Sequence, residues 1–308
     1  MNSSYKNITY AEINNLAFNE KEFIEGCSKD YRIKAFDVAD KIYDDKSVKI
    51  VLLAGPSSSG KTTTAKFISE EINRLGGKAY TVSLDDFYMP RGAKYPIDEN
   101  GKPDFECVEA LDIELLHKSL RGLSENGKAL LPIFDFKIGD RINNAKSIEL
   151  QKNDVIIVEG LHALNPVITD TLDESKLMKI YISVSSRVYD NEGEVLLSKR
   201  DLRFIRRMVR DYKFRSTPVE RTFEIWSSVT RGEEKYLFPF EERADIKIDS
   251  FHLCEPCVFS KRAIELLNTV PEENFNEKAA LLIDKLGLFK QTAYSLLPAD
   301  SLLREFTG

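Results

Sequence analysis

Eight consecutive residues form the pattern G-x-x-x-x-G-K-[ST], and their types suit phosphate binding. They are Gly55, Pro56, Ser57, Ser58, Ser59, Gly60, Lys61 and Thr62. The glycines let the backbone curl so that its N–H groups point at phosphate oxygens. We expect Lys61 to reach the β- and γ-phosphates and the Thr62 hydroxyl to bind Mg²⁺. Because an apolar run precedes the pattern and a helical pattern follows it, we predict a phosphate loop at a helix N-terminus.

Acidic residues follow two other apolar runs. Asp85 and Asp86 come after A-Y-T-V-S-L, and Glu159 comes after D-V-I-I-V. Phosphoryl transfer to a hydroxyl needs carboxylates to hold the metal and to receive the proton. Position alone does not choose between Asp85 and Asp86. The alternative role for these acids is to cap or hydrogen-bond a loop.

A basic segment covers residues 199–235, with eight arginines and three lysines against six acids. Arg200, Arg203, Arg207 and Arg210 recur at steps of three and four, so they share one helix face. The apolar stripe predicted on the opposite face comprises Ile205, Met208, Val209 and Tyr212. Guanidinium groups suit phosphate oxygens, so we predict an arginine-rich helical lid over residues 190–235. A solvated charged face is the alternative.

The elements that would position these groups alternate between strand and helix. Apolar, β-rich runs occupy Lys49–Ala54, Ala79–Leu84, Asp154–Val158, Lys179–Val184 and Asp245–Asp249. Helical patterns cover Lys61–Leu75, Ile113–Leu123 and Lys199–Tyr212. This alternation predicts an α/β, three-layer fold of the P-loop NTPase type, with a mainly parallel five-stranded sheet.

The chain divides into three predicted parts. Residues 1–46 form an N-terminal helical extension, residues 47–250 the core, and residues 251–308 a C-terminal helical segment packed on it. Within the core, residues 126–153 read as a small hairpin insertion, since two β-rich runs flank a polar turn with Gly139, Asn143 and Asn144.

The bulk composition narrows the class of protein. The 308 residues carry a net charge of −6, which argues against bulk nucleic-acid binding. No stretch is apolar for the length of a membrane span, and no signal peptide is visible, so we expect a cytoplasmic protein without membrane partners. The sequence leaves the oligomeric state open, including a homo-oligomer. We assign no function to the pair Cys254 and Cys257, which lacks the remaining ligands of a zinc site.

Five motifs in order resemble the uridine kinase and phosphoribulokinase family of P-loop kinases. They are G-P-S-S-S-G-K-T-T, S-L-D-D-F-Y (Ser83–Tyr88), P-I-F-D-F (Pro132–Phe136), I-V-E-G (Ile157–Gly160) and R-R-M-V-R-D (Arg206–Asp211). The strings Y-L-F-P-F-E-E-R-A-D and S-L-L-R-E-F-T-G further resemble a bacterial uridine-kinase-like branch. Many members of that branch carry an N-terminal TGS-type region, which residues 1–46 do not supply.

The resemblance implies a role for each matching residue. Asp85 is the expected general base, and Thr62, Asp85 and Glu159 the expected Mg²⁺ partners. The predicted catalytic set is Asp85, Lys61, Arg207 and Arg210. The predicted ATP site comprises residues 55–62 together with Thr63, Arg206 and Arg215. The predicted acceptor site comprises Asp85, Tyr88, Glu106, Phe134, Arg141 and Arg207, with Glu106 where uridine kinases place an Asp that holds the ribose hydroxyls.

Three positions depart from the family pattern. Uridine kinases read the pyrimidine with a Tyr and a His, where this chain has Phe134 and Gly139. Phe134 can stack but has no hydroxyl for a base edge, so discrimination between bases should weaken. A second lid arginine of the family is Thr217 here.

The sequence therefore predicts transfer of the ATP γ-phosphoryl group to a hydroxyl of a sugar-bearing metabolite, the 5′-OH of a uridine- or cytidine-like nucleoside. Another acceptor stays open, namely a sugar, a sugar phosphate or a pantothenate-like alcohol. A nucleotide-binding regulatory module without efficient turnover is the alternative from another class.

Overall fold

The computed structural model describes residues 7–97, 101, 103–135, 138–271 and 275–308. Its strands are β1 Ile8–Thr9, β2 Ile50–Ala54, β3 Ala79–Ser83, β4 Lys128–Asp135, β5 Asp140–Glu149, β6 Val155–Gly160, β7 Leu177–Ser183, β8 Val188–Tyr189, β9 Val195–Leu197 and β10 Ile246–Asp249. Its helices are α1 Tyr10–Leu16, α2 Glu20–Asp44, α3 Lys61–Arg74, α4 Ile113–Asn126, α5 Pro166–Thr169, α6 Lys199–Arg215, α7 Val219–Tyr236, α8 Glu255–Leu267, α9 Asn276–Gly287 and α10 Arg304–Thr307.

Five strands form the central sheet in the order β10-β7-β2-β6-β3. Every neighbouring pair in it is parallel. The five predicted strands agree with these five to within two residues at either end. The predicted α/β fold with a five-stranded parallel sheet is confirmed.

Both faces of the sheet are covered, as its continuous Val, Ile and Leu runs require. In β2, Val51 and Leu53 join one apolar cluster, which includes residues of α2, α3, α6 and α8. Ile50 and Leu52 alternate with them and join a second cluster, which includes residues of α4. The sheet is therefore the middle of three layers.

The strand register brings the predicted phosphate loop and two acidic motifs to one edge of the sheet. Ala54 pairs with Gly160, and Ser83 pairs with Glu159. Since these strands are parallel, the loops that follow β2, β3 and β6 leave the sheet side by side. Ligands bind at this carboxyl edge in open α/β sheets.

The predicted hairpin insertion is the antiparallel pair β4 and β5, with Lys128 opposite Glu149. Its turn contains Gly139, whose φ of 64° is in the left-handed region that glycine tolerates best. Phe136, the last residue of the P-I-F-D-F motif, lies outside the described residues.

A small sheet joins the N-terminal region to the segment before α6. β1 pairs with β8 in parallel, and β8 pairs with β9 antiparallel. These strands are not predicted from the sequence, because runs of two or three residues carry no readable periodicity. The three-part division of the chain stays a prediction.

The arginine-rich helix α6 begins with a capping box. The Ser198 hydroxyl accepts the Asp201 N–H, and the Asp201 carboxylate accepts the Ser198 N–H. Ile205, Met208 and Val209 are buried as predicted. Tyr212 corrects the predicted apolar stripe, because it is 40% exposed and Arg262 lies over its ring. The helix is thus packed firmly on the core.

Candidate active site

The phosphate loop has the strained backbone that its function requires. Ser58 and Gly60 have φ angles of 59° and 88°. A Cβ on Gly55 would lie 2.2 Å from the Ile182 carbonyl oxygen, so no larger residue fits there. The Lys61 ammonium donates to the carbonyls of Gly55 and Pro56, at 2.9 and 3.1 Å. These contacts hold Lys61 over the loop, although Gly55 and Pro56 themselves do not line the site cavity described below.

Two hydroxyls of the loop fit a phosphate group. The side-chain oxygens of Ser58 and Ser59 are buried and have no hydrogen-bond partner among the described residues. Buried hydroxyls without partners are costly, and phosphate oxygens would satisfy them. The loop is therefore suited to an oxyanion.

Two carboxylates face this loop from the ends of β3 and β6. Glu159 is 8% exposed and accepts a hydrogen bond of 2.9 Å from the Ser83 hydroxyl. Asp85 is exposed to solvent, although the protein around its carboxylate partly desolvates it. Desolvation raises the pKa of both groups, while the nearby Lys61 charge opposes the shift. A bound cation would favour the ionised form of both carboxylates and so offset the cost of their desolvation.

The structure separates Asp85 from Asp86, which the sequence could not do. Both lie in the 3₁₀ turn Leu84–Phe87. Asp85 lines the cavity, whereas the Asp86 carboxylate accepts the Phe134 N–H of the hairpin at 3.2 Å. Asp86 therefore supports the hairpin, and Asp85 is the acid that faces the phosphate loop.

These groups surround a cavity of about 260 Å³. Its wall brings together many of the predicted site residues, namely Ser57, Ser58, Ser59, Gly60, Lys61, Thr62, Asp85, Tyr88, Glu106, Glu159, Arg207, Arg210 and Arg215. Further polar residues on the wall are His162, Glu233 and Glu305. Polar and charged groups of both signs thus converge on one enclosed space.

Three arginines of the cavity wall converge on one buried acid. Asp211 is 2% exposed. Its carboxylate lies 3.3, 2.8 and 3.4 Å from the guanidinium groups of Arg207, Arg210 and Arg215. Arg207 also donates to the Ser57 hydroxyl of the phosphate loop, at 2.7 Å. Asp211 therefore holds these cations beside the phosphate loop.

Arg206 requires a correction, because it is not available to bind ATP as predicted. Its side chain is fully buried and forms a bidentate ion pair with Glu255, at 2.5 and 3.2 Å. It also donates to the Ser58 carbonyl at 3.3 Å. Arg206 therefore supports the phosphate loop through this hydrogen bond to its backbone. The helix period placed Arg206 near Arg207, but the two side chains point to different environments.

Arg203 has a similar supporting role. It forms a buried pair with Glu233, at 2.5 and 2.6 Å, and donates to the Ser57 carbonyl at 3.0 Å. Glu233 in turn accepts the Ser57 N–H at 2.7 Å. Arg200 lies at the surface, where it contacts Glu234. Of the four arginines predicted on one face, Arg207 and Arg210 line the cavity.

Two further residues of the cavity wall, Glu106 and His162, offer hydrogen-bond acceptors. Burial raises the pKa of Glu106 to about 7, against the influence of the nearby Arg207. His162 is 5% exposed, and burial lowers its pKa to about 4, so its imidazole is neutral at neutral pH. The His162 Nδ1 atom has no partner among the described residues. His162 is not among the site residues predicted from the sequence.

Phe134 and Arg141 require a second correction, because neither lines this cavity within the part of the chain that is described. The Phe134 ring packs on Tyr88, with ring centroids 5.6 Å apart. Arg141 pairs with Asp112 at 2.9 Å beside a separate cavity of about 320 Å³. Tyr88 comes between the hairpin and the site, and its hydroxyl donates to the Phe105 carbonyl at 3.0 Å.

A larger cavity of about 610 Å³ adjoins the first and shares Glu106, Arg207 and Val229 with it. Helix α7 contributes Arg231 and Lys235 to its wall. The two cavities together leave room beyond Glu106 for a second portion of a substrate.

Thr62, Asp85 and Glu159 fit Mg²⁺. All three offer oxygen ligands, which this hard cation prefers. Mg²⁺ usually binds one or two carboxylates and completes its coordination with water and substrate phosphates. Among the described residues, no group of three or more His, Cys, Asp or Glu side chains is placed to hold a metal by itself.

The fold and this site define a P-loop phosphotransferase, in which a phosphate loop faces carboxylates across a cavity lined with arginines. The chain belongs to the Phosphoribulokinase / Uridine kinase family, whose model matches residues 50–254. It is a phosphotransferase with an alcohol group as acceptor, and the family implies ATP as the donor.

The chain is similar to several curated proteins and solved structures. The chain is 31% identical over 206 residues to uridine kinases of Staphylococcus aureus strains JH9 and Newman, covering 66% of this chain and 88% of each relative. A structure described as a possible uridine kinase from Bacillus stearothermophilus is 20% identical, with a TM-score of 0.43, and the match covers 66% of this chain and 89% of that one. A D-glycerate 3-kinase from Cryptococcus neoformans is 23% identical with a TM-score of 0.33, over 42% and 52% of the two chains.

Within the described ranges, no helix is both long enough and apolar enough to cross a bilayer.

Proposed function

We propose that the chain is a Mg²⁺-dependent kinase that transfers the ATP γ-phosphoryl group to the 5′-OH of a nucleoside. One observation carries the proposal: Asp85, Glu159, Lys61 and Thr62 line the same cavity as Glu106 and His162. The cavity thus combines the groups that phosphoryl transfer needs with groups that accept hydrogen bonds from sugar hydroxyls.

Each residue has a role in this reaction. Asp85 accepts the proton of the attacking hydroxyl. Lys61, Arg207 and Arg210 stabilise the charge that develops on the transferred group. Thr62, Asp85 and Glu159 hold Mg²⁺, which neutralises phosphate charge when bound. Arg215 reaches the phosphates from the end of α6, and its exposure of 59% leaves it free to adjust.

Glu106 and His162 are the proposed readers of the sugar. An ionised carboxylate and a neutral imidazole both accept hydrogen bonds from hydroxyl groups. The positions of Phe134 and Gly139 leave the base edge without the family's two polar readers. We therefore expect broad tolerance of the base and stricter recognition of the sugar.

A kinase of a sugar phosphate is the second candidate. Arg207, Arg231 and Lys235 line the adjoining cavity and would suit an anionic group on the acceptor. A basic residue beside Glu106 would favour such an acceptor. Arg231 and Lys235 line the same cavity as Glu106, which the sequence does not predict.

A panel of acceptors incubated with radiolabelled ATP tests the function. Uridine, cytidine, ribose, ribose 5-phosphate and pantothenate would be compared, with ADP release measured in the absence of any acceptor. We expect label on the nucleosides, with similar rates for the two pyrimidines. Label on ribose 5-phosphate alone would select the second candidate. Nucleotide binding without acceptor-dependent ADP release would favour a regulatory module.

The KM of the acceptor should fall about tenfold between pH 6 and pH 8. A Glu106 pKa of about 7 means that the carboxylate is mostly protonated at pH 6 and mostly ionised at pH 8. Only the ionised carboxylate accepts charge-assisted hydrogen bonds from substrate hydroxyls on both of its oxygens. Arg207, Glu233, Asp85 and Asp104 are the charged groups that influence Glu106.

The Glu106→Gln variant isolates this effect. Its acceptor KM should be raised and nearly independent of pH, because the amide does not titrate. Glu114→Gln, at an exposed position on α4 that lines neither cavity, is the matched control and should keep the wild-type profile. An unchanged slope in Glu106→Gln would assign the titration to another group.

A further inference from the structure

The last eight residues pack directly on the phosphate loop. Leu302, Leu303 and Phe306 are at most 1% exposed, so the tail is part of the core. A Cβ on Gly60 would lie 2.7 Å from Leu302 Cδ1, which shows how closely the tail approaches the loop. The Ser301 hydroxyl accepts a hydrogen bond from Ser28 at 2.9 Å. The tail is therefore held in place from both sides.

Glu305 extends from this tail to the first turn of α3. The Thr63 hydroxyl donates to its carboxylate at 2.6 Å, and the Thr63 N–H donates to the same oxygen at 3.3 Å. Glu305 also lines the cavity that contains Lys61 and Asp85. Thr63 was predicted from sequence to bind ATP. In this structure, the donors of Thr63 are taken by a carboxylate 242 residues away.

Glu305 differs from the other carboxylate on the phosphate loop. Glu233 accepts the Ser57 N–H, but the bidentate contact with Arg203 balances its charge and it is 1% exposed. In the described part of the chain, no Lys or Arg forms a salt bridge with Glu305. Among the described residues, its negative charge is therefore stabilised by the positive N-terminus of α3 and by the two Thr63 donors.

A nucleotide needs those same donors. N–H groups of a phosphate loop and of the first turn of its helix cradle the α- and β-phosphates. Lys61 serves the β- and γ-phosphates, so Thr63, two residues further into the helix, lies towards the α-phosphate. One N–H and one hydroxyl cannot serve a carboxylate and a phosphate together, and the two anions repel each other.

We propose that Glu305 occupies the α-phosphate position while the site is empty, and that ATP binds by displacing it. The C-terminal tail is then a built-in competitor of the nucleotide. The inference rests on the proposed binding of ATP to residues 55–62. Release of Glu305 needs only a change of its side-chain torsions, because Leu302, Leu303 and Phe306 keep the tail attached.

Calorimetric titration with ADP and with a non-hydrolysable ATP analogue tests this competition. Glu305→Gln removes the charge and should lower the Kd of both ligands about three- to tenfold, the change expected from one hydrogen-bonded charge. The melting temperature of the unliganded variant should fall, because α3 loses the carboxylate at its N-terminus. Glu305→Ala should bind at least as tightly as Glu305→Gln.

Glu70→Gln is the matched control. Glu70 lies on α3 itself at a half-exposed position and does not line the cavity. Its substitution removes one negative charge from that helix and should leave both Kd values unchanged. If Glu305→Gln binds both nucleotides with the wild-type Kd, Glu305 only caps α3, and the inference is overturned. A raised Kd would overturn it as well, since Glu305 would then bind the nucleotide itself. Failure of the wild-type chain to bind any nucleotide would remove the proposed function, an outcome distinct from the other two.

Discussion

The Asp85→Asn variant is expected to lose about 10²- to 10⁴-fold in turnover, the contribution of a positioned general base. Asparagine has nearly the same size and keeps one oxygen, but it cannot accept the proton of the attacking hydroxyl. It also removes one anionic partner from the proposed Mg²⁺ site. Steady-state kinetics at saturating ATP and acceptor measure the loss. The melting temperature should stay near the wild-type value, because desolvation already disfavours the charged form of Asp85.

Asp86→Asn is the matched control for that experiment. The neighbouring carboxylate accepts the Phe134 N–H at 3.2 Å, and an asparagine oxygen can accept the same bond. Its turnover should therefore remain within a few-fold of wild type. Equal losses in both variants would show that the turn matters as a whole, and near-normal turnover in Asp85→Asn would refute the proton-accepting role.

The central sheet could be predicted from sequence because its signal is local. The strands β2, β6 and β7 are continuous or nearly continuous apolar runs, and burial on both faces demands such runs. The order of the strands could not be predicted, because β6 lies between β2 and β3 although these two are consecutive along the chain. The strands β1, β8 and β9 could not be predicted, since they are two or three residues long and depend on pairing with one another.

The site could be predicted from the sequence only where one short motif contains the residues that its chemistry needs. The phosphate loop needs glycines, a lysine and a hydroxyl at adjacent positions, so the sequence reveals it. The choice between Asp85 and Asp86 depends on how the hairpin docks, which no local pattern reports. Asp211 could have been found, because its spacing from Arg207 and Arg215 matches ion pairs four residues apart on a helix.

Long-range partners account for the remaining differences. Arg206 turns inwards because Glu255, 49 residues later, is buried beneath the phosphate loop. Glu305 reaches Thr63 because the C-terminal tail folds back over α3. In both cases the sequence shows a charged residue of the expected type, but the side chain that it meets comes from a distant part of the chain. Tertiary contacts therefore decide which arginines bind the substrate and which support the loop.

The largest effect on stability is expected at this Arg206 pair. Arg206→Met should lower the free energy of unfolding by about 3–5 kcal/mol, because it leaves the fully buried Glu255 without its counter-ion. The variant also loses the hydrogen bonds to Ser250 and to the Ser58 carbonyl. Urea denaturation followed by circular dichroism measures the change. Nucleotide affinity should fall in parallel, since the phosphate loop loses the support beneath Ser58.

Two comparisons separate an unpaired buried charge from a general loss of packing. Arg200→Met makes the same substitution on the same helix at an exposed salt bridge, and should cost about 0–1 kcal/mol. Arg206→Met combined with Glu255→Leu removes both charges, and should be more stable than Arg206→Met alone, because an apolar pair needs no counter-ion. A double variant that is less stable than the single one would show that packing, and not charge, makes Arg206 indispensable beneath the phosphate loop.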